Sequence, residues 1–297
     1  SNIQLSIFKE AEAKLANLAK APAALTLSSG TLAGQIVVRY LQSKAPFFYA
    51  PGTHPALWGT AVPNKLSFNN WVDQFLSTSE QLPASYVIFA NAIDPLFLAQ
   101  YHWEWLAELP KEKALTLVLD DSHGLGLIGK YGEGVYSSIP PFDFINPIVV
   151  ASLGKAVGIP GGVIFAPPTT LTAIQSAPFF GGASPPPPAY LQAFLKAELY
   201  YEAARKRLQS SIRQFRSQTG AIPAIRYLDN YPVFYVNDQN LADYLAKQHI
   251  LISSFPYPSP NDPTINRIVL NSLHEAEDLA YLIKFVKSYF NSTHNFT

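Results

Sequence analysis

The sequence predicts an α/β fold, with a large domain built on a mainly parallel sheet and a smaller C-terminal α+β domain. Short apolar runs of strand length alternate with amphipathic stretches of helical spacing through residues 6–166, a pattern typical of βαβ units around a parallel sheet. The length of 297 residues also corresponds to roughly two domains at about 150 residues each.

The elements of the large domain follow from this periodicity. Apolar side chains recur at helical spacing in residues 6–21, which predicts an amphipathic helix at the start of the chain. A strand, a glycine turn and a second helix are expected in residues 23–41, and the apolar stretch 96–109 predicts a further helix. The remaining strands are expected at residues 47–50, 86–90, 115–119, 148–151 and 162–165.

The four consecutive prolines at 185–188 predict a rigid connector and mark the domain boundary. We expect the large domain in residues 1–188, a long connecting helix in 189–217 and the small domain in 218–297. The small domain should contain strands at 233–236, 250–255 and 267–271, and helices at 241–248 and 275–289.

Composition limits the classes of partner. Lys+Arg and Asp+Glu both count 21, so the formal net charge is zero and no basic stripe is present to neutralise a phosphate backbone. Nucleic acid is therefore not an expected partner. Only 14% of residues are charged while 48% are hydrophobic, against roughly 25% charged in an ordinary domain. Such a chain is expected to bury much of its surface, including a subunit interface.

A membrane span, a signal peptide and disulfide bonds are not indicated either. No apolar run approaches the roughly 18 to 20 residues that span a bilayer, and the first residues lack the basic and apolar regions of a signal peptide. We therefore expect a cytoplasmic protein without membrane partners. The chain has no cysteine, which removes thiolate nucleophiles and cysteine-ligated metals.

One segment concentrates reactive side chains at the end of a buried strand. Asp120, Asp121 and His123 precede glycines that match G-x-G-x-x-G, but the residues after them do not begin a good helix, which disfavours dinucleotide binding. A metal site is a second interpretation, although adjacent strand residues point to opposite faces. A third joins Asp120 to Lys155, a lysine among small residues after another strand, where burial would lower its pKa and free the amine for a Schiff base.

These segments resemble the signature of a known family. Leu-Asp-Asp-Ser-His-Gly-Leu-Gly at 119–126, Gly-Glu-Gly at 132–134, Ser-Leu-Gly-Lys-Ala at 152–156 and the glycine pair at 161–162 are similar to the α-oxoamine synthases. The resemblance runs over essentially the whole chain. It implies the three-layer fold of the type I pyridoxal-phosphate (PLP) enzymes, PLP as cofactor, no metal, and a homodimer in which the segment 179–184 reaches the phosphate of the partner subunit's cofactor.

The resemblance also implies a reaction. Enzymes of this family condense an amino acid with an acyl-CoA with loss of CO2, and biotin biosynthesis is one pathway that this implies. A PLP-dependent aminotransferase, or an aldolase or lyase acting on a small amino acid, is an alternative that the same residues serve. A non-catalytic homologue with a binding role is the third.

Residue roles are carried over by position. Lys155 would form the Schiff base, Asp120 would pair with the pyridinium nitrogen, His123 would contact the phenolic oxygen and His54 would stack on the ring. Arg267 would hold a substrate carboxylate.

The phosphate requires donors of its own. The backbone amides of Gly30, Thr31 and Leu32 are expected at a helix N-terminus, and Ser152 matches the family's hydroxyl contact. The sequence departs from the family pattern at several places. The aspartate and asparagine that precede the stacking histidine are missing, Ile265 replaces the first arginine of the pair that includes Arg267, and the serine-methionine-aspartate-glycine run is absent around Asn91.

Overall fold

The computed structural model describes residues 5–59, 66–94, 96, 98–256 and 260–293. The chain divides into two compact units. The first unit comprises Ser1–Asp94 and Tyr101–Ala197, and the second comprises Pro95–Gln100 and Glu198–Thr297. The chain passes between the units at Ala197, inside the stretch 189–217 that the sequence predicts as a connecting helix.

The elements are numbered in chain order. The strands are β1 Ala24–Leu27, β2 Phe47–Tyr49, β3 Ser85–Asn91, β4 Ile93–Asp94, β5 Ala99–Gln100, β6 Ala114–Asp120, β7 Ile145–Ser152, β8 Gly162–Phe165, β9 Ile225–Tyr227, β10 Val233–Val236, β11 Ser253–Pro256 and β12 Thr264–Val269. The α-helices are α1 Ser6–Ala19, α2 Gly30–Leu41, α3 Phe68–Ser77, α4 Pro168–Gln175, α5 Pro178–Gly181, α6 Pro188–Lys196, α7 Glu198–Thr219, α8 Leu241–Lys247 and α9 Ala276–Thr293.

The first unit is built on a six-stranded sheet in the order β1-β8-β7-β6-β3-β2. Strands β7, β6, β3 and β2 pair in parallel, and β8 is antiparallel to both of its neighbours. Strand β1 therefore runs in the same direction as β7. As a result, β1, β2, β3, β6 and β7 all end along the same side of the sheet, which we name the carboxyl edge.

Helices α1 and α2 pack against this sheet through apolar faces and one buried polar contact. Helix α2 buries Ile36, Val37 and Val38 in the main core cluster together with residues of β1, β3, β7 and β8. On α1, the Glu12 carboxylate accepts hydrogen bonds from the Thr26 amide at 2.8 Å and the Thr26 hydroxyl at 2.9 Å. Burial raises the pKa of Glu12, and this contact fixes α1 against β1.

The second unit has its own core. Its sheet has the order β11-β12-β10-β9 with antiparallel pairing throughout. Phe215 of α7 and Phe234 of β10 are fully buried and meet edge to face with ring centroids 4.6 Å apart. Residues from α8 and α9 complete the same cluster.

Two helix predictions are wrong. Where the sequence predicts a helix over 96–109, the described residues form strand β5 and a short 3-10 turn at Glu104–Glu108. Side chains there alternate between buried and exposed from Tyr101 through Glu104, a period of two that a helix cannot satisfy. The long helix after the prolines is interrupted at Ala197, where α6 ends and α7 begins.

Helices α3 and α4 lie where the sequence analysis expects no helix. Ser67 caps α3 by accepting a hydrogen bond from the Asn70 amide at 3.3 Å. Within the described residues, no helix combines the length and the apolar character needed to cross a bilayer.

The core of the second unit provides a stability prediction. Leu245 is fully buried, whereas Leu251 is 88% exposed. We expect Leu245→Ala to lower the free energy of unfolding by about 2–5 kcal/mol, because it removes buried apolar surface and leaves a cavity. Leu251→Ala should change it by less than about 0.5 kcal/mol. Denaturant unfolding followed by circular dichroism measures both, and equal losses in the two variants would contradict the placement of Leu245.

Candidate active site

The parallel strands bring distant segments of the chain to the carboxyl edge. In register, Asn91 of β3 stands opposite Asp120 of β6, and Asp120 stands opposite Val150 of β7. On the other side of β7, Ser152 pairs with Gly162, which in turn pairs with Leu27 of β1. The predicted site residues of the first unit follow these strand ends, and ligands of open α/β sheets bind at such edges.

The N-terminus of α2 lies directly against the end of β7. Ser29 caps the helix, its hydroxyl accepting a hydrogen bond from the Leu32 amide at 3.1 Å. A Cβ on Gly30 would lie 2.8 Å from the Cβ of Ser152, so only glycine permits this approach. The first amides of a helix have no partner within it. The amides of Gly30 and Thr31 and the Ser152 hydroxyl therefore form a set of donors suited to an anion.

Asp120 is a nearly buried carboxylate with one oxygen committed to the protein. Its Oδ1 accepts a hydrogen bond from the Ser122 amide at 2.9 Å. Its Oδ2 lies 3.7 Å from the Nδ1 of His54. That nitrogen accepts a hydrogen bond from the Ala56 amide at 3.2 Å, so its lone pair is engaged there and it has no proton to donate to Asp120. The second carboxylate oxygen thus stays available to a cationic partner.

His54 is held in its neutral form. Burial lowers its pKa, the Asp120 carboxylate raises it, and the Lys155 ammonium lowers it again. The net direction is downward, so the imidazole is uncharged at neutral pH. The imidazole lies 3.7 Å from the Asp120 carboxylate, and the charge of Lys155, in the turn after β7, also acts on it.

Lys155 and His123 lie in turns that follow β7 and β6. Lys155 is exposed, so the expected burial of this lysine is wrong. It lies in a turn of small residues that follows β7. His123 is half-buried. The two turns are tied together because the Ser122 hydroxyl accepts a hydrogen bond from the Ser152 amide at 2.8 Å.

Asp121 organises the glycine-rich segment. Its side chain is 2% exposed, Oδ2 accepts a hydrogen bond from the Val135 amide at 2.8 Å, and Oδ1 has no hydrogen-bond partner among the described residues. A Cβ on Gly124 or Gly134 would overlap the carboxylate. Burial raises the pKa of Asp121 to about 8, and the neighbouring Asp120 charge acts in the same direction.

This arrangement bears on the two other interpretations of the motif. The glycines pack around the Asp121 carboxylate, and the segment leads into a 3-10 turn at Tyr136–Ser138 and not into an α-helix, so it lacks the helix N-terminus of a dinucleotide site. Nowhere in the described part of the chain do three His, Cys, Asp or Glu side chains gather as a metal site.

Asn91 is a site residue that the sequence analysis does not select. Its side chain is buried at the end of β3, where Oδ1 accepts a hydrogen bond from the His54 amide at 3.0 Å and Nδ2 donates one to the Gly52 carbonyl at 2.7 Å. A polar residue that ends an apolar strand beside the strand of Asp120 is the signal in the sequence.

Arg267 lies in the second unit, on β12. Its guanidinium is 3.4 Å from the Ser253 hydroxyl and stacks over the Phe255 ring at 5.1 Å. Its contact with a substrate carboxylate stays a prediction.

Comparisons with known proteins agree with this fold. The family model for aminotransferase class I and II matches residues 3–286. The chain is 24% identical to an 8-amino-7-oxononanoate synthase of Petrotoga mobilis, over 95% of this chain and 77% of that protein. It is 27% identical to the enzyme of the same name from Nitrosospira multiformis, over 91% of this chain and 72% of the relative.

Solved structures show the same architecture. A variant serine palmitoyltransferase from S. paucimobilis, solved with a bound PLP–myriocin aldimine, superposes with a TM-score of 0.80 at 17% identity, covering 97% of this chain and 77% of that one. An 8-amino-7-oxononanoate synthase from Francisella tularensis gives a TM-score of 0.74 at 21% identity, with 98% and 89% covered. At this identity the likeness shows the fold, which is that of the type I PLP-dependent transferases, as the sequence predicts.

The buried Asp121 carboxyl predicts a pH dependence of stability. Its pKa is about 8 in the folded chain against an ordinary aspartate value of 3.8, so the folded state keeps a proton that the unfolded chain releases. The free energy of unfolding contributed by this group is therefore fully present below about pH 4 and is lost as the pH rises towards 8.

Asp121→Asn should remove that contribution, so the variant loses less stability than the wild type between pH 4 and pH 8. Denaturant unfolding at several pH values measures the slope. Asp73→Asn, which alters an exposed carboxyl, is the control and should keep the wild-type slope. An unchanged slope in Asp121→Asn would contradict the burial of a neutral carboxyl.

Proposed function

Because the chain belongs to the aminotransferase class I and II family, we propose that it is a PLP-dependent transferase of the α-oxoamine synthase type. It joins an amino acid to an acyl thioester such as an acyl-CoA, with loss of CO2. The single observation that carries the proposal is the set of Asp120, His54 and Lys155 gathered beside the N-terminus of α2. The 8-amino-7-oxononanoate synthases among its relatives support the acyl transfer.

The donor set fits PLP. The close approach of Gly30 to Ser152 brings the amides of Gly30 and Thr31 together with the Ser152 hydroxyl as donors for a phosphate. The Leu32 amide, which the sequence analysis also expects there, is occupied by the Ser29 hydroxyl at 3.1 Å. Asp120 has an oxygen that no protein donor occupies at hydrogen-bond distance in the described contacts, which suits a pyridinium nitrogen. The neutral His54 imidazole suits the face of an aromatic ring, and His123 suits a phenolic oxygen.

PLP, when bound, withdraws electrons from the Cα of an attached amino acid and so weakens the bonds to that carbon. The Asp120 carboxylate holds the proton on the pyridinium nitrogen and so maintains this electron withdrawal. Lys155 would hold the cofactor through its aldehyde, with loss of water. Once the substrate's amino group takes its place there, the released Lys155 amine would remove the proton from the substrate Cα and return one there. Arg267 binds the substrate carboxylate.

The proposal extends to the pathway, the oligomeric state and the location of the enzyme. The biotin pathway is the metabolic setting that the relatives' name suggests. The enzyme acts as a homodimer in the cytoplasm, and Phe179 and Phe180 belong to the segment that reaches the partner subunit's phosphate. Within the chain, the Arg39 guanidinium lies over the Phe179 ring at 4.4 Å, and this cation–π contact holds the segment against α2.

Attachment of the cofactor to Lys155 is testable directly. We expect the purified protein with added PLP to develop a visible absorbance band, and borohydride followed by peptide mapping should leave the pyridoxyl group on Lys155. Lys155→Arg should lose the band and the adduct, because arginine cannot form the imine, whereas Lys111→Arg, which alters another exposed lysine, should keep both. A stable adduct elsewhere in the wild type would overturn the assignment.

The reaction itself separates the alternatives. Release of free CoA and CO2 from mixtures of single amino acids with acyl-CoAs of varied chain length is expected for an α-oxoamine synthase. Conversion of added 2-oxo acid to amino acid without CoA release would indicate an aminotransferase, and aldehyde release would indicate an aldolase. Cofactor binding with none of these products would favour a binding role.

A further inference from the structure

The loop that carries His54 is fastened to the neighbouring strand by one side chain. Asn91, 4% exposed at the end of β3, bonds to the loop on both sides of Thr53: it accepts from the His54 amide at 3.0 Å and donates to the Gly52 carbonyl at 2.7 Å. We propose that Asn91 is a positioning residue that sets the place of the His54 imidazole above the cofactor site. This inference rests on the proposed function.

The chemistry of the contact requires an asparagine amide. One short side chain must accept a hydrogen bond from the His54 amide and donate one to the Gly52 carbonyl. A carboxamide can do both because its oxygen and its NH2 group lie in one rigid plane. Aspartate would present an oxygen to the Gly52 carbonyl, and serine is too short to bridge both groups. Gly52 adopts a positive φ, which lets its carbonyl meet Asn91.

Thr53 and Trp58 stabilise the loop but cannot replace this contact. The Thr53 hydroxyl donates to the Ala50 carbonyl at 2.6 Å and lies 3.0 Å from that of Phe89, and the Trp58 indole donates to the Thr53 carbonyl at 2.8 Å. These bonds hold the middle of the loop. Asn91 alone among these contacts acts on the backbone of His54 itself.

Asn91 also relates His54 to Asp120. The two strands place Asn91 opposite Asp120, and the Ala92 amide donates to the Asp120 carbonyl at 2.9 Å. Because Asn91 holds the His54 loop and lies on the strand next to that of Asp120, it fixes the distance between the imidazole and the carboxylate. The charged groups that face it are Asp120 and Lys155.

The spacing has a chemical consequence. With Nδ1 engaged by the Ala56 amide, His54 lies 3.7 Å from the Asp120 carboxylate without donating to it. An imidazole released from this position can be protonated on Nδ1 and pair with Asp120, which would compete with the pyridinium nitrogen for the same oxygen. By fixing the loop, Asn91 prevents His54 from pairing with Asp120 although the two side chains are neighbours.

The first test uses the protein without cofactor. In Asn91→Ala and Asn91→Ser, NMR titration of the His54 imidazole, assigned with His54→Gln, should show its pKa raised towards the ordinary histidine value. Asn146→Ala removes an asparagine from β7 of the same sheet that accepts from the Thr170 hydroxyl, and it should leave the His54 titration unchanged. A His54 titration identical to the wild type in both Asn91 variants, each folded by circular dichroism, would overturn the proposal.

The second test is a double-mutant cycle on PLP affinity measured by absorbance. Asn91→Ala should weaken binding about tenfold, the size expected when a buried hydrogen-bonding group loses its partner. In the His54→Gln background the same substitution should cost little, because Asn91 acts through His54. Equal losses in both backgrounds would overturn the positioning role. Absence of PLP binding by the wild type would refute the proposed function, while the titration of His54 would still decide the role of Asn91.

Discussion

The parallel pairing of β3, β6 and β7 is the constraint on which the candidate site depends. Because the strands share a direction, their last residues emerge at one edge, and the register places Asn91, Asp120 and Val150 in adjacent rows. A slip of one residue in β6 would turn Asp120 to the other face of the sheet.

The candidate site also depends on glycines that allow backbone segments to approach each other closely. Gly30 and Gly162 allow the start of α2 and the end of β1 to lie against β7 and β8 at distances that no side chain permits. Gly124 and Gly134 leave room for the Asp121 carboxylate in the same way. These positions explain why a glycine-rich segment occurs beside a cofactor site without itself holding a phosphate.

Asp121, Asp120 and His54 lie close together but have different electrostatic surroundings. Asp121 has no charged partner and its pKa is raised by burial, so it is largely neutral at physiological pH. Asp120 beside it has one carboxylate oxygen that no donor among the described residues occupies, which suits a pyridinium nitrogen. His54 stays uncharged because burial and the Lys155 ammonium lower its pKa. Burial thus raises the pKa of Asp121 and lowers the pKa of His54 within one small region.

The sequence by itself determined the α/β class, the parallel strands and the residues that follow them. Apolar runs of strand length appear directly in the sequence, and Asp120, Ser152 and Lys155 each come at or after the end of such a run. The helix predicted over 96–109 failed because several buried aromatic residues outweighed local propensity. Helices α3 and α4 were missed because they carry few strong helix formers and are stabilised by packing.

Only the tertiary structure decided how these residues work together. Asn91 and His54 are 37 positions apart, and no local pattern shows that one side chain bonds to the backbone of the other's loop. The exposure of Lys155, the Asp121 oxygen that lacks a partner among the described residues and the 3.7 Å approach of His54 to Asp120 likewise depend on neighbours from distant segments of the chain. Periodicity reports which face a residue occupies, whereas hydrogen-bond partners and protonation states depend on what the fold places opposite it.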